Sequence, residues 1–293
     1  MKIIKNYNIV YLLMSFAMLF WAVAWTNAKI VNEYLSFYNL IFLRFLLGFV
    51  CLFPFIIKKN FKIKLSIKAV FYTIGASILF FLYNIAFFKG THFGNAGSGA
   101  VLVTTLNPLV TMFIISIIEK NIEKNKVIGL CLGIIGGFSI MNVFSDGFTV
   151  MFNQSNLYFL ICAITWGIMT VVINYGQQTV DPLKFIFYCY FITTLFVLPF
   201  INVNEFFINH LDARFYINFI LVSVGAMSFG TTVYMFSTPI LGPVKASVFI
   251  FSVPFLALGT AYIFLEETIT WNVFFGGVLS LIAIYIVNKK SNL

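Results

Sequence analysis

Charged residues are scarce in this sequence. They make up 9% of its 293 positions, where a soluble domain carries about 25%. With 61% of positions hydrophobic, there is too little polar surface to cover a soluble fold of this size. Acids are scarcer still: Glu33, Glu119, Glu123, Asp146, Asp181, Glu205, Asp212, Glu266 and Glu267 are all of them. None falls in the middle of an apolar run, so a buried carboxylate relay of the kind proton-coupled carriers use has no obvious candidate. The two histidines, His92 and His210, exclude any His-rich metal cluster. HExxH and GxSxG are both absent, which removes the parts a zinc protease or serine hydrolase needs. No polar stretch is long enough for a soluble ATPase domain. The four cysteines, Cys51, Cys131, Cys162 and Cys189, lie inside apolar runs with neither ligand nor disulfide-framework spacing. Strict apolar–polar alternation, which a membrane β-barrel requires, is missing too.

What is present is a succession of apolar runs of about 20 residues, each long enough to cross a bilayer. They fall at roughly 8–31, 35–57, 66–89, 95–118, 126–144, 155–177, 182–202, 214–239, 243–265 and 270–288. The expected fold is an all-α polytopic membrane protein with ten transmembrane helices and short loops. The net charge of +9 is explained by its placement rather than by nucleic acid. With the N-terminus inside, fourteen of the 18 basic residues fall on inner segments, three (Lys29, Lys89, Arg214) fall at the outer face, and Arg44 alone sits within a span. By the positive-inside rule both termini are cytoplasmic. Lys2, Lys5 and the "AVA" at Ala22–Ala24 superficially resemble a signal peptide, but the first apolar run is too long for one.

The chain also repeats itself. Trp21 and Trp166 are 145 residues apart, as are the prolines of "FPF" (Phe53–Phe55) and "LPF" (Leu198–Phe200). Pro108 of "NPL" (Asn107–Leu109) and Pro254 of "VPF" (Val253–Phe255) are 146 apart, and Glu119 and Glu266 are 147 apart. The repeat unit is therefore five helices, with halves at 1–149 and 150–293. Five is odd, so the second copy enters the membrane inverted. Inverted repeats are a transporter signature, because the two halves can rock around a shared central site.

Particular segments carry a resemblance. "LRFLLG" (Leu43–Gly48), "LYNIAFFKGTHFGNAG" (Leu82–Gly97), "NPL", "SIIEKNI" (Ser116–Ile122), "GPVKAS" (Gly242–Ser247) and "FLEETIT" (Phe264–Thr270) together resemble the EamA-type transporters of the drug/metabolite transporter superfamily. The resemblance spans almost the whole chain and implies ten helices in two five-helix repeats that carry amino acids, metabolites or drugs. The sequence departs from the family pattern at Lys245, where a small or uncharged residue is usual.

Polar and aromatic residues within the spans are the candidate substrate contacts. Arg44 lies about 12 Å into its helix at 1.5 Å per residue. A charge at such depth costs at least about 2.5 kcal/mol, so Arg44 should face the interior, either contacting an anionic group of the substrate or bonding helix carbonyls. Trp21, Trp25 and Lys29 share one helix face, and Trp166, Thr170 and Asn174 repeat that spacing. Tyr83 and Asn84, Asn107, Tyr188 and Tyr190, and Tyr234 complete the candidate set. Each alone is more often a helix–helix hydrogen bond, and their value is collective. The 38 phenylalanines read mostly as lipid-facing bulk. Pro108 and Pro254 should bend their helices by removing a backbone donor, and with Gly97 they are the candidate hinges.

The "GNAGSG" stretch, Gly94–Gly99, superficially resembles a phosphate loop but lacks the Lys-Ser/Thr ending. It reads better as a slender start to the fourth span, where small residues let helices approach closely. The expectation is a secondary permease of the inner or plasma membrane of a bacterium. It would move a small organic metabolite such as an amino acid by alternating access, with export favoured over import. No cofactor, metal, nucleic acid or enzymatic activity is expected; partners are the solute and the lipid bilayer, and the oligomeric state is monomer or homodimer. The alternatives are a membrane-embedded transferase and a non-transporting assembly partner.

Overall fold

The structure is a computed structural model that describes residues 7–57, 65–120, 124–208, 211–241, 249–250 and 252–288. The "GPVKAS" stretch with Lys245, the loop lysines Lys58, Lys59, Lys62 and Lys64, the terminal lysines Lys2, Lys5, Lys289 and Lys290, and Glu123 and His210 lie outside the described residues.

The described chain is helical throughout. In the first half, α1 is Tyr7–Val31, α2 Phe37–Ile57, α3 Ile67–Phe93, α4 Ala96–Ile118 and α5 Lys124–Ile140. A short helix, Val143–Asp146, and a 3-10 turn, Phe148–Phe152, lead to the second half. There α6 is Gln154–Gly176 and α7 is Pro182–Val197, the latter extended by a 3-10 turn at Leu198–Phe200. A short helix, Glu205–Ile208, precedes α8, which runs without a break through Ala213–Ile220, a π-helical stretch Leu221–Thr231, and Thr232–Leu241. The last two helices are α9, Val253–Leu265, and α10, Trp271–Asn288. Seven of these helices are long and apolar enough to cross a membrane, and α9 and α10 contribute shorter apolar helices. With α5 they make ten helices, an even number, which puts the start of α1 and the end of α10 on one side, the proximal end. The opposite end is the distal end.

Local chemistry sets the helix ends. Ser66 caps α3 by accepting the Ala69 N–H at 3.1 Å. Asp181 caps α7, with Pro182 in the first turn, where its missing N–H would have had no intrahelical partner anyway. α9 ends at Glu266 in the left-handed region (φ 55°), and Lys120 adopts the same geometry (φ 52°) just after α4. These two left-handed residues are 146 apart, the same offset as the prolines. The structure thereby corrects the expected match of Glu119 with Glu266: the residue equivalent to Glu266 is Lys120. Glu119 and Glu266 are both exposed helix caps, as expected of acids at span ends.

The helix neighbours reveal the symmetry. α3 packs on α6 as α8 packs on α1, α4 on α6 as α9 on α1, and α3 on α7 as α8 on α2, while α2–α7 and α5–α10 are self-symmetric pairs. Exchanging each helix with the one five places on leaves these neighbours unchanged, as a twofold axis in the membrane plane requires. At the α5–α10 crossing the backbones nearly touch. A Cβ added to Gly276 would lie 2.7 Å from the Gly136 carbonyl, and one added to Gly136 would lie 2.8 Å from the Gly276 carbonyl. In a bilayer, where apolar surface gives little drive for association, such close approach is what holds helices together.

One further sequence expectation needs correction. Pro108 lies inside α4, as expected, but Pro254 stands in the first turn of α9. There its missing donor breaks no intrahelical bond, so Pro254 begins a helix rather than kinking one. Among the described phenylalanines more are exposed than buried, in line with lipid-facing bulk, but Phe45, Phe80, Phe87, Phe88, Phe159, Phe185, Phe187, Phe215 and Phe219 are buried. Phe159 lies where Cβ atoms on Gly90, Gly94 and Gly99 would otherwise sit, so these glycines give the ring its space.

Candidate functional site

The symmetry-related tryptophans meet at the middle of the bundle. The rings of Trp21 on α1 and Trp166 on α6 stand edge-to-face with centroids 6.3 Å apart. Tyr234 on α8 lies 5.2 Å from Trp21, and Tyr83 on α3 lies 4.6 Å from Trp166. These four half-buried rings form an aromatic box with two members from each repeat. Aromatic rings prefer tilted or edge-on contacts of this kind, because the negative face of one meets the positive edge of the other.

The π-helical stretch of α8 supplies the carbonyls behind the box. Ala226 O accepts the indole N–H of Trp21 at 3.0 Å, Val222 O accepts from Arg44 Nε at 3.1 Å, and Met227 O accepts from the Tyr190 hydroxyl at 3.3 Å. A wider helical turn re-aims carbonyls relative to an α-helix, and π segments are frequent at functional sites. Gly225 and Gly230 make the room: a Cβ at Gly225 would meet the Phe20 ring at 2.6 Å, and one at Gly230 would meet Trp21 Nε1 at 2.9 Å.

Arg44 is buried between α2, α3 and α8. Its Nη1 donates to Asn84 Oδ1 at 2.7 Å, and Asn84 in turn donates to the Phe80 carbonyl at 2.8 Å. The guanidinium carbon lies 5.2 Å from the Phe87 ring centroid and 5.8 Å from that of Phe88. Phe87 is itself stacked near Tyr83, at 5.9 Å, and sits 4.8 Å from Trp25. Arg44 thus stands directly behind the box, and among the described residues no carboxylate pairs with it.

The remaining sequence candidates are dispersed. Trp25 is fully packed against Phe87 and Phe159. Tyr190 is a core residue between Phe45 and Phe80, and Tyr188 lies beside Phe187 on α7. Asn107 and Pro108 are half-buried where α4 crosses α6. At that crossing Thr111 donates to the Gly167 carbonyl at 3.1 Å, and a Cβ on Gly167 would meet Asn107 O at 3.1 Å. Thr170 is exposed and bonds the Trp166 carbonyl of its own helix at 2.9 Å. Gly97 is buried, and an added Cβ would lie 3.1 Å from Ala261 and 3.2 Å from Leu258.

A second polar cluster, at the distal end, escaped sequence reasoning. Lys29 Nζ lies 2.8 Å from Glu267 Oε1 and donates to the Gly94 carbonyl at 3.0 Å. The Glu267 carboxylate also accepts the backbone N–H groups of Ala96 at 2.8 Å and Gly97 at 2.9 Å. The glycine-rich stretch therefore does receive an anion on its N–H groups, but that anion is the protein's own carboxylate. Such a pairing is favourable because free N–H groups and the helix dipole both give a helix N-terminus positive character. Glu267 stands within "FLEETIT", but that segment gives no sign of what the carboxylate binds, since its partners are distant in sequence. Beside it opens a recess of ≈ 370 Å³ with Asn95, Ser98, Asn142, Asp146 and Asn156 in its wall.

Other distal contacts join the repeats as well. Glu205 Oε2 accepts from the Ser36 N–H and Asn39 Nδ2, both at 2.9 Å. Asp212 caps α8 through the Phe215 N–H at 2.9 Å and accepts from the Tyr34 hydroxyl at 3.1 Å. The Phe215 N–H, foremost, holds the Asp212 carboxyl below its ordinary range. The Tyr34 hydroxyl is shifted upward, first by desolvation and then by its bond to Asp212.

No curated protein matches this chain. A solved crystal structure superposes on 97% of it, and on 98% of its own chain, with a TM-score of 0.65 at 13% identity. At that identity the likeness speaks for the fold alone. The model of the EamA-like transporter family matches twice, over residues 8–142 and 153–289, one match for each five-helix unit. With nearly all of its length matched, and with ten helices arranged about a twofold axis, the chain belongs to the EamA-like transporter family of the drug/metabolite transporter superfamily.

Proposed function

We propose that this integral membrane transporter is a secondary permease that moves a small organic metabolite, such as an amino acid, outward across the inner or plasma membrane of a bacterium. Both termini are then cytoplasmic, the distal end faces outside, and the halves 1–149 and 150–293 rock about the central axis, in a monomer or homodimer. The observation that carries this reading is the meeting of Trp21 and Trp166, equivalent residues of the two repeats, inside the bundle. A contact point on the symmetry axis is the one place that both halves can present to a solute in either orientation. The box of Trp21, Tyr83, Trp166 and Tyr234 offers ring faces to an apolar portion of the solute. Arg44, with Asn84, supplies positive charge behind it. Gly97 and Pro108 are the proposed points of bending. Pro254, at the start of α9, is the corresponding joint of the second half.

The test is a thermal-shift screen of purified protein against amino acids, nucleosides and sugars, with hits carried into proteoliposome flux. A hit should be transported, and its stabilising effect should largely vanish in Trp166→Ala. The same comparison with Arg44→Ala reports whether the guanidinium touches the ligand. Equal stabilisation of Trp166→Ala and the unmodified protein would overturn the site. Absence of flux for every member of the panel would overturn the transport reading.

A further inference from the structure

Lys29 and Glu267 sit where the two repeats meet at the distal end. Lys29 closes the last turn of α1, while Glu267 lies on the connection from α9 to α10. Together they form more than an ion pair. One carboxylate serves an ammonium and two backbone N–H groups of α4, and the same ammonium holds the carbonyl of Gly94. Three structural units, α1, the start of α4 and the α9–α10 connection, are thus pinned at a single point. The Glu267 side chain is 8% exposed and that of Lys29 is 28% exposed, so water screens the pair only in part. A hydrogen bond between Thr26 and Thr260, at 3.1 Å, joins α1 to α9 about one turn deeper.

The inverted repeat supplies a control built into the same molecule. At the repeat offsets, Lys29 corresponds to Asn174 and Glu267 to Asn121, while Ala96–Gly97 corresponds to Gly242–Pro243. Neither asparagine is charged, and Pro243 has no N–H to donate. The equivalent positions at the proximal end therefore lack the residue types from which such a clamp is made, and Asn174 is exposed. An inverted repeat with identical halves would give its two alternating states equal energy. This difference in chemistry removes that balance.

We propose that Lys29 and Glu267 are gating residues of the transport cycle: their clamp on the N-terminus of α4 holds the distal gate shut and must release before the central site opens to that side. The proposal rests on the alternating-access reading above. Its consequence is a default state closed distally and biased toward the proximal side, which is the state an exporter needs in order to load its solute from the cytoplasm.

The test follows distal opening without any substrate. Cys51, Cys131, Cys162 and Cys189 are replaced by serine, and Ala100→Cys is introduced. Ala100 lies one turn inward from Ala96 and is fully buried. A membrane-impermeant methanethiosulfonate reagent is then added from the distal side of oriented proteoliposomes. Labelling should be slow in this background and about tenfold faster, or more, when either Glu267→Gln or Lys29→Met is added. Removing an interaction that exists in only one of two states shifts their ligand-free equilibrium toward the other. The charge-reversed pair, Lys29→Glu with Glu267→Lys, should stay fast, since a lysine cannot accept the N–H groups of Ala96 and Gly97. Circular dichroism and thermal unfolding of each variant identify any that fails to fold, and the remaining single variant decides. Unchanged labelling in a folded single variant overturns the proposal. Restoration of slow labelling by charge reversal also overturns it, because that would make the clamp a simple ion pair. Fast labelling together with failed flux would keep the gate and remove the transport reading, so the two can fall separately.

Discussion

Trp21 and Trp166 are equivalent in the repeat yet differ in their hydrogen bonding. The Trp21 indole donates to the Ala226 carbonyl, whereas among the described residues Trp166 has no such acceptor. Trp21→Phe should therefore cost about 1 kcal/mol, the net worth of one buried hydrogen bond, beyond any loss from the smaller ring. Ala226 O keeps a second donor, Thr231 Oγ1 at 3.3 Å, which limits the penalty. Trp166→Phe should cost less, and thermal unfolding of the two variants in one detergent makes the comparison. At the distal surface, Asp212 links stability to acidity. Its carboxyl lies below the ordinary range in the folded protein, so its contribution is present above the unfolded value of about 3.9 and is lost as pH falls through the folded value. Unfolding temperatures measured from pH 5 to pH 3 should decline less steeply in Asp212→Asn than in the unmodified protein. An equal decline would show that the cap is not linked to protonation.

At the scale of elements, α8 departs furthest from what the sequence announces. Its apolar length is legible, but the π-helical turn from Leu221 to Thr231 has no proline to signal it. Gly225 and Gly230, five residues apart, are the only trace, and their purpose is apparent only when Phe20 and Trp21 are seen to fill the space they leave. The α5–α10 pair is simpler. Gly136 and Gly276 bring two backbones together, so Gly276→Leu should force the helices apart and cost several kcal/mol, because overpacking adds to the loss of backbone approach. Gly259→Leu is the control, because an added Cβ there meets nothing within 4 Å. Detergent thermal stability should fall sharply in the first variant and little in the second.

For the whole molecule, the ten helices, the repeat and the two tryptophans could all be read in advance. Composition forces the chain into the bilayer, and in the bilayer every backbone polar group must be satisfied within a helix or a closed barrel. Helix number then follows from run length alone. The geometry of the candidate site was legible in part. Trp21, Trp166, Tyr83 and Tyr234 do converge, and Arg44 does bond Asn84. Tyr190 packs instead between Phe45 and Phe80, and Thr170 bonds its own helix, because spacing along one helix says which residues share a face but not which neighbour that face meets. Glu267 was legible as an acid at a span end; its burial on α4 was not. The sequence by itself determined the solvent, the secondary structure and the inverted duplication, since all three follow from residue types and their spacing. Tertiary structure alone decided that the glycine-rich start of α4 binds a carboxylate from the opposite repeat, because partners 170 residues apart in the chain are chosen by how helices pack and not by any local pattern.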